Sequence, residues 1–304
     1  MPESKRPSTL ARLQRLLLLA WFLLLAAGLA ALSSHGHAGL AGAWALLALG
    51  GHAIVLAGEF AWMHHANGRD PAPRATMRHL LQAWWGEVTG ATRVFGWRQP
   101  FRSQRHGDLL QPASRTGVLL LHGFVCNRGL WNPWLERLAR QRVPYVALNL
   151  EPVFGGIDDY VPRIEAAIAS LERCTGRPPV VVAHSMGGLA LRRWWIEPGN
   201  SARIRHAITI GTPHRGTALA RLAFAPNARQ MRLSSPWLQA LQQAEPPAHA
   251  AAMTCFYSHC DNIVFPASMA CLPGATHIHL PGVAHVHMTD HPAPWAELMR
   301  RLQA

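Results

Sequence analysis

Residues 16–32 read L-L-L-L-A-W-F-L-L-L-A-A-G-L-A-A-L, a run with no charge and no polar side to any helix it could form. Such a run cannot lie on the surface of a water-soluble domain, and its length suits the hydrocarbon thickness of a bilayer. It is predicted to span one. A second apolar stretch, residues 38–60, follows the connection Ser33-Ser34-His35-Gly36-His37; His52 and Glu59 interrupt it and make it the weaker span. Helices over residues 12–34 and 38–62 are therefore expected to form a membrane anchor within residues 1–65. A cleaved signal peptide is the competing reading, because Lys5, Arg6, Arg12 and Arg15 form a basic leader. The length of the first run, the lack of an A-x-A site after it and the prompt second run weigh towards a hairpin. Arg12 and Arg15 precede the hairpin, Arg69, Arg74 and Arg78 follow it, and its connecting loop carries no arginine or lysine. This bias places both ends, and the rest of the chain, in the cytosol.

The net charge of +13 raises the question of a nucleic-acid partner. The arginines are scattered, however, with no basic run interleaved with aromatics, and Lys5 is the only lysine. No nucleic acid is expected; an anionic membrane surface is the partner that part of this charge suits. The five cysteines, Cys126, Cys174, Cys255, Cys260 and Cys271, fit neither a disulfide framework nor a repeated C-x-x-C zinc set. A Cys260–Cys271 bridge is the one pairing considered, against free buried thiols, which a cytosolic location favours.

Residues 66–115, rich in Pro, Arg, Gly and Trp, read as a linker followed by irregular or amphipathic structure. From Gly117 onward, apolar runs at residues 118–121, 143–150, 180–183, 204–210, 253–257 and 276–280 alternate with helix-like stretches. This alternation predicts an α/β fold, a mostly parallel sheet with helices on both faces, over residues 116–304.

Three segments carry chemistry. Residues 180–191, V-V-V-A-H-S-M-G-G-L-A-L, place Ser185 in a tight turn between an apolar strand and a helix. A strained turn of this kind lifts a serine hydroxyl above the sheet, and small residues two before and two after it let strand and helix approach. Ala183 stands where a glycine is usual, a departure of one methyl. Residues 118–124, V-L-L-L-H-G-F, end a strand on His122-Gly123, and residues 209–217 read T-I-G-T-P-H-R-G-T.

In this order and spacing, the segments over residues 117–300 resemble the α/β-hydrolase superfamily, and the G-T-P-H-x-G-T wording is similar to bacterial triacylglycerol lipases and esterases. The resemblance implies an α/β-hydrolase fold with Ser185 as nucleophile and the backbone N–H groups of Phe124 and Met186 as oxyanion donors. It makes His122 a structural turn residue. Family order is Ser, acid, His. Asp261, on the loop after the run at 253–257 and ahead of Pro266, resembles the acid; Asp158 and Asp159 precede the elbow and are explained by helix capping. G-V-A-H-V-H-M over residues 282–288 resembles the family's histidine loop and makes His285, rather than His287 or the strand residue His279, the base. Residues 215–250 match the place where the family inserts a cap, and a terminal helix is expected over 294–302.

The expected reaction is hydrolysis of a carboxylic ester with an apolar acyl group, through an acyl-enzyme, with no cofactor and no metal. The chain has 18 histidines but no H-E-x-x-H helix. The expected substrate is a lipid or other acyl ester, and the expected location a membrane, the bacterial inner membrane. Acyl transfer, thioester or amide cleavage on the same site remain alternatives, as does an inactive membrane-bound binding protein on this fold.

Overall fold

The computed structural model describes residues 8–303; Lys5 and Arg6 of the basic leader lie outside them. Two long helices come first, α1 (Thr9–Ser34) and α2 (Ala38–Ala66), and both are long and apolar enough to cross a bilayer. α1 begins three residues before the expected position because Ser8 Oγ caps it, accepting the N–H of Ala11 at 3.1 Å. They run antiparallel, with Trp44 Nε1 donating to the carbonyl of Leu25 at 3.2 Å. Leu16, Leu17, Phe22, Leu23, Leu46 and Leu47 all point away from the protein.

The expected linker is instead largely helical: α3 (Met77–Arg93) continues through a π turn (Val94–Arg98) into α4 (Gln99–Arg102). α3 is amphipathic. Thr76 Oγ1 caps it, Ala83, Glu87 and Gly90 form its buried face, and Trp84 Nε1 donates to the carbonyl of Ala53 on α2 at 3.0 Å. The abundance of Pro, Gly and Arg over 66–115 hid this helix: Pro71, Pro73 and Pro100 lie outside α3, but Gly86 and Gly90 lie within it.

The remaining chain alternates strands and helices. β1 (Val118–Leu121), α5 (Asn132–Arg140), β2 (Tyr145–Ala147), α6 (Val161–Thr175), β3 (Val180–His184), α7 (Met186–Trp195) and β4 (His206–Ile210) are followed by the short helices α8 (Pro226–Gln230), α9 (Pro236–Ala244) and α10 (Pro247–Ala251). β5 (Met253–Tyr257), β6 (Thr276–His279) and α11 (Pro292–Gln303) complete it. The six strands form one sheet in the order β2-β1-β3-β4-β5-β6, every pair parallel. The period-2 alternation of strand side chains divides the core. Leu119, Leu121, Val181 and Ala183 face one side with Ile164 and Ile168 of α6 and Leu189 of α7. Val118, Leu120, Val180 and Val182 face the other with Trp134 and Leu135 of α5 and Leu298 of α11.

Strand bounds differ most at the edge. The run at 143–150 yields only Tyr145–Ala147, an edge strand that pairs with β1 on one side and meets Leu109 through a single antiparallel bridge at Tyr145 on the other. All five cysteines are free, so Cys260 and Cys271 are not bridged.

Candidate active site

Ser185 sits between β3 and α7 with φ 53° and ψ −129°, a conformation that costs a non-glycine residue about 1–3 kcal/mol. The surroundings hold it there. Its N–H donates to the carbonyl of Ile210 at 2.9 Å, and its own carbonyl accepts Thr212 Oγ1 at 2.9 Å and the N–H of Gly188 at 3.0 Å. A Cβ on Gly187 would lie 2.6 Å and 2.7 Å from the carbonyl oxygens of His122 and Leu121, so only glycine lets the head of α7 approach the end of β1 this closely.

The His122-Gly123 turn lies directly beside the serine: a Cβ on Gly123 would be 2.8 Å from Ser185 Cβ and 3.3 Å from its Oγ. His122 itself is fixed and buried. Its Nε2 accepts the N–H of Leu150 at 2.9 Å, which leaves Nδ1 to donate to the carbonyl of Gly123 at 2.8 Å, and burial pushes its pKa down to about 4. This neutral ring shapes the turn. Phe124 follows on the cavity wall, and Met186 opens α7, where the first N–H groups of a helix have no carbonyl partner within it.

Asp261 and His285 meet. His285 Nδ1 lies 2.9 Å from Asp261 Oδ1 and 3.0 Å from Oδ2. Asp261 is held by its own loop, with Oδ1 accepting the N–H groups of Ile263 at 2.9 Å and Val264 at 2.8 Å. Gly211 of the G-T-P-H segment has φ +56°, and a Cβ there would come within 3.0 Å of both Asp261 Oδ2 and His285 Nδ1. The glycine thus clears the space the acid and imidazole occupy. Burial lowers the His285 pKa, but the Asp261 carboxylate, aided by Glu87 and Glu59, outweighs it, and the net shift is upward. Ser185 lines the same cavity as His285, yet among the described residues no hydrogen bond joins its hydroxyl to that imidazole.

The other histidines separate by placement. His287 faces α3, with its ring against Gly86, and is not on the cavity wall. His279 packs tilted against Tyr257 and edge-on against His259, at ring distances of 5.1 Å and 4.6 Å. Asp158 pairs with Arg193 at 2.7 Å, and Asp159 accepts the N–H of Gly156 at 2.8 Å, the capping role expected. Among the described residues no group of three or more His, Cys, Asp or Glu converges as metal ligands.

Two carboxylates were not anticipated as part of the site. Glu87 of α3, 2% exposed, accepts the N–H of Val286 at 3.1 Å on each oxygen and that of His287 at 3.2 Å. Burial pushes its pKa up to about 7, against the lowering effect of His285 and these backbone bonds. Glu59 of α2 accepts Asn262 Nδ2 at 2.8 Å, and Asn262 Oδ1 in turn accepts the N–H of His285 at 3.4 Å. The N-terminal helices therefore grip both the acid loop and the histidine loop. The signal was in the sequence: a lone glutamate in an apolar helix needs a buried partner.

Ser185, His285, Asn262, Glu59 and Glu87 line one cavity of ≈ 500 Å³. Ser185, His184 and His285 form its floor, and its walls come from Phe124 and Val125, from Thr217, Leu219, Ala223 and Met231 of the segment after β4, and from α2 and α3. Arg192 of α7, buried and bonded to Glu245 at 2.7 Å and to the carbonyl of His214 at 2.9 Å, fastens that segment to the elbow helix.

Parallel strand order, the strained serine turn between β3 and α7, and the acid and histidine on loops after later strands define an α/β-hydrolase fold. Solved structures similar to it include two lipases. The mature form of Bacillus licheniformis lipase BlEst2 superposes with a TM-score of 0.55 at 16% identity, over 63% of this chain and 94% of that one. Aspergillus fumigatus lipase B superposes with a TM-score of 0.52 at 20% identity, over 60% of this chain but only 51% of that one. No family model matches the sequence, and no curated protein matches it.

Proposed function

We propose that the chain is a serine hydrolase that cleaves carboxylic esters with an apolar acyl group, anchored in a membrane by residues 1–65 with its catalytic domain, residues 116–304, in the cytosol. The observation that carries this reading is His285, hydrogen-bonded to the buried Asp261, sharing one apolar cavity with the strained Ser185.

In the proposed reaction Ser185 Oγ attacks the ester carbonyl carbon while His285 Nε2 takes the hydroxyl proton. Asp261 keeps the imidazole in the Nδ1–H tautomer and stabilises the imidazolium. The oxyanion is met by the N–H groups of Phe124 and Met186, the latter favoured by its place at the head of α7. Collapse expels the alcohol, which carries away the proton from His285, and leaves an acyl-enzyme on Ser185. Water, deprotonated by His285, then attacks the acyl carbon, and the carboxylic acid leaves as Ser185 regains its proton. Each step uses side chains and N–H groups of this chain. Segment 215–250 serves as a cap whose apolar inner side suits an acyl chain.

The experiment is covalent labelling of the detergent-solubilised full chain by a fluorophosphonate, followed by hydrolysis of p-nitrophenyl esters of increasing chain length. Labelling and activity in the wild type, both lost in a folded Ser185→Ala variant, are the expected outcome. Labelling that persists in that variant would overturn the assignment of the nucleophile.

A further inference from the structure

One wall of the cavity is a membrane-type helix. His52, Val55, Leu56 and Glu59, on successive turns of α2, line it together with Ser185 and His285. Val55 is 65% exposed although it touches the cavity, so the cavity is open on this side. The rim beyond is apolar as well. Leu222 and Phe224, 67% and 75% exposed, flank the wall residue Ala223, and the exposed Phe154 packs edge-on against the wall residue Phe124.

The depth of this opening follows from the hairpin. Starting from Ala38, a crossing of about 20 residues ends near Ala57. The partner helix gives a matching level independently. Trp44 meets Leu25 and Gly28 across the hairpin, and this antiparallel register carries Arg15, the last charge before the apolar run of α1, to the height of residues 54–57. Exposed Trp85, Trp97 and Phe101 lie on the helices beside it, in the aromatic composition of a membrane interface. The opening between Val55 and Glu59 is thus level with the polar boundary of the bilayer, the depth at which the ester bonds of acylglycerols lie.

Charge narrows the ligand further. Glu59 and Glu87 line the cavity and, among the described residues, no arginine or lysine does, in a chain whose net charge is +13. A phosphate drawn to the opening would find no arginine or lysine on the described wall to pair with.

We propose that the site takes its substrate sideways from the bilayer, along the face of α2 that carries His52, Val55, Leu56 and Glu59, and that the substrate is an acylglycerol with an uncharged headgroup. This rests on the hydrolase reading above and adds to it a route and a substrate class. α2 is then a wall of the acyl site as well as an anchor. The acyl chain slides from the leaflet past Val55 and Leu56 while its ester carbonyl reaches Ser185 without crossing water.

The test uses the full chain reconstituted in vesicles of diether phosphatidylcholine, which contains no carboxylic ester. Dioleoylglycerol is placed either in the protein's own vesicles or in separate, protein-free ones, and oleate release is followed. Sideways entry predicts release faster by about tenfold or more when lipid and protein share a bilayer. Equal rates in the two arrangements overturn the route. Dioleoylphosphatidylglycerol in the protein's own vesicles should react slower than dioleoylglycerol by about tenfold; equal rates overturn the uncharged headgroup. Val55→Trp, checked for an unchanged thermal midpoint in detergent, should lower the shared-bilayer rate by about tenfold, and an undiminished rate removes α2 from the path. Fluorophosphonate-labelled protein that cleaves dioleoylglycerol in neither arrangement overturns the substrate and leaves the hydrolase reading standing. Failure of the wild type to label overturns both.

Discussion

Both carboxylate oxygens of Glu87 lie 3.1 Å from the backbone nitrogen of Val286, the residue that follows the candidate base. A helix well outside the parallel sheet thus sets the course of the histidine loop. The arrangement has a cost, because this carboxyl is fully buried and its pKa is pushed up to about 7 by desolvation.

A native pKa above the unfolded value means that the native state binds more protons between the two, so stability falls as pH rises through that window. For Glu87 the window runs from the ordinary value of 4.5 to about 7, and the full difference corresponds to about 3 kcal/mol. Glu87→Gln is neutral at every pH and should flatten this dependence. Thermal midpoints of wild type and variant between pH 4.5 and 8 check it; parallel curves would show that folding does not shift the Glu87 pKa.

His285 and His287 are two residues apart, yet one reaches Asp261 and the cavity while the other packs against Gly86. His285→Ala is expected to lower kcat for ester hydrolysis by roughly three to four orders of magnitude, and His287→Ala by about tenfold or less. Steady-state kinetics at matched thermal stability decide it, and the reverse pattern would pass the role of base to His287.

The base must be neutral to accept the serine proton. Burial favours that form, but Asp261, Glu87 and Glu59 outweigh it and raise the His285 pKa above its ordinary value. Activity should therefore be lost as pH falls through a point above 6.5. Asp261→Asn removes the main raising influence and should move this acid limb to lower pH while lowering kcat by about 10⁴-fold. An acid limb in the same place for both proteins would show that it belongs to another group.

The basic residues on the outer sides of the hairpin predict a cytosolic C-terminus. An alkaline phosphatase fused there should be silent and a cytosolic fluorescent reporter bright. The opposite result would mean that the second helix does not cross or that the arginine distribution does not set the orientation.

Much of the sheet could be read directly, because strand alternation and the small residues around Ser185 are local requirements written in neighbouring positions. Asp261 and His285 were legible only through a family resemblance, since nothing in their own segments states that loops 24 residues apart converge. Glu87 escaped altogether. Its partners are backbone N–H groups 199 and 200 residues away, which leave no side-chain pattern to find. Glu59 was visible but misread as a flaw in an apolar helix, when it is the point at which that helix meets Asn262.

The grip of Glu87 on the histidine loop bears on how the protein can be cut. A fragment beginning at residue 116 would retain all six strands, Ser185, Asp261 and His285. It would also leave the N–H groups of Val286 and His287 with no acceptor and replace the α2 side of the cavity with water. The N-terminal helices are for this reason not an exchangeable tether: a soluble fragment would carry the same reactive residues on a loosened loop, and its chemistry would not stand in for that of the whole chain.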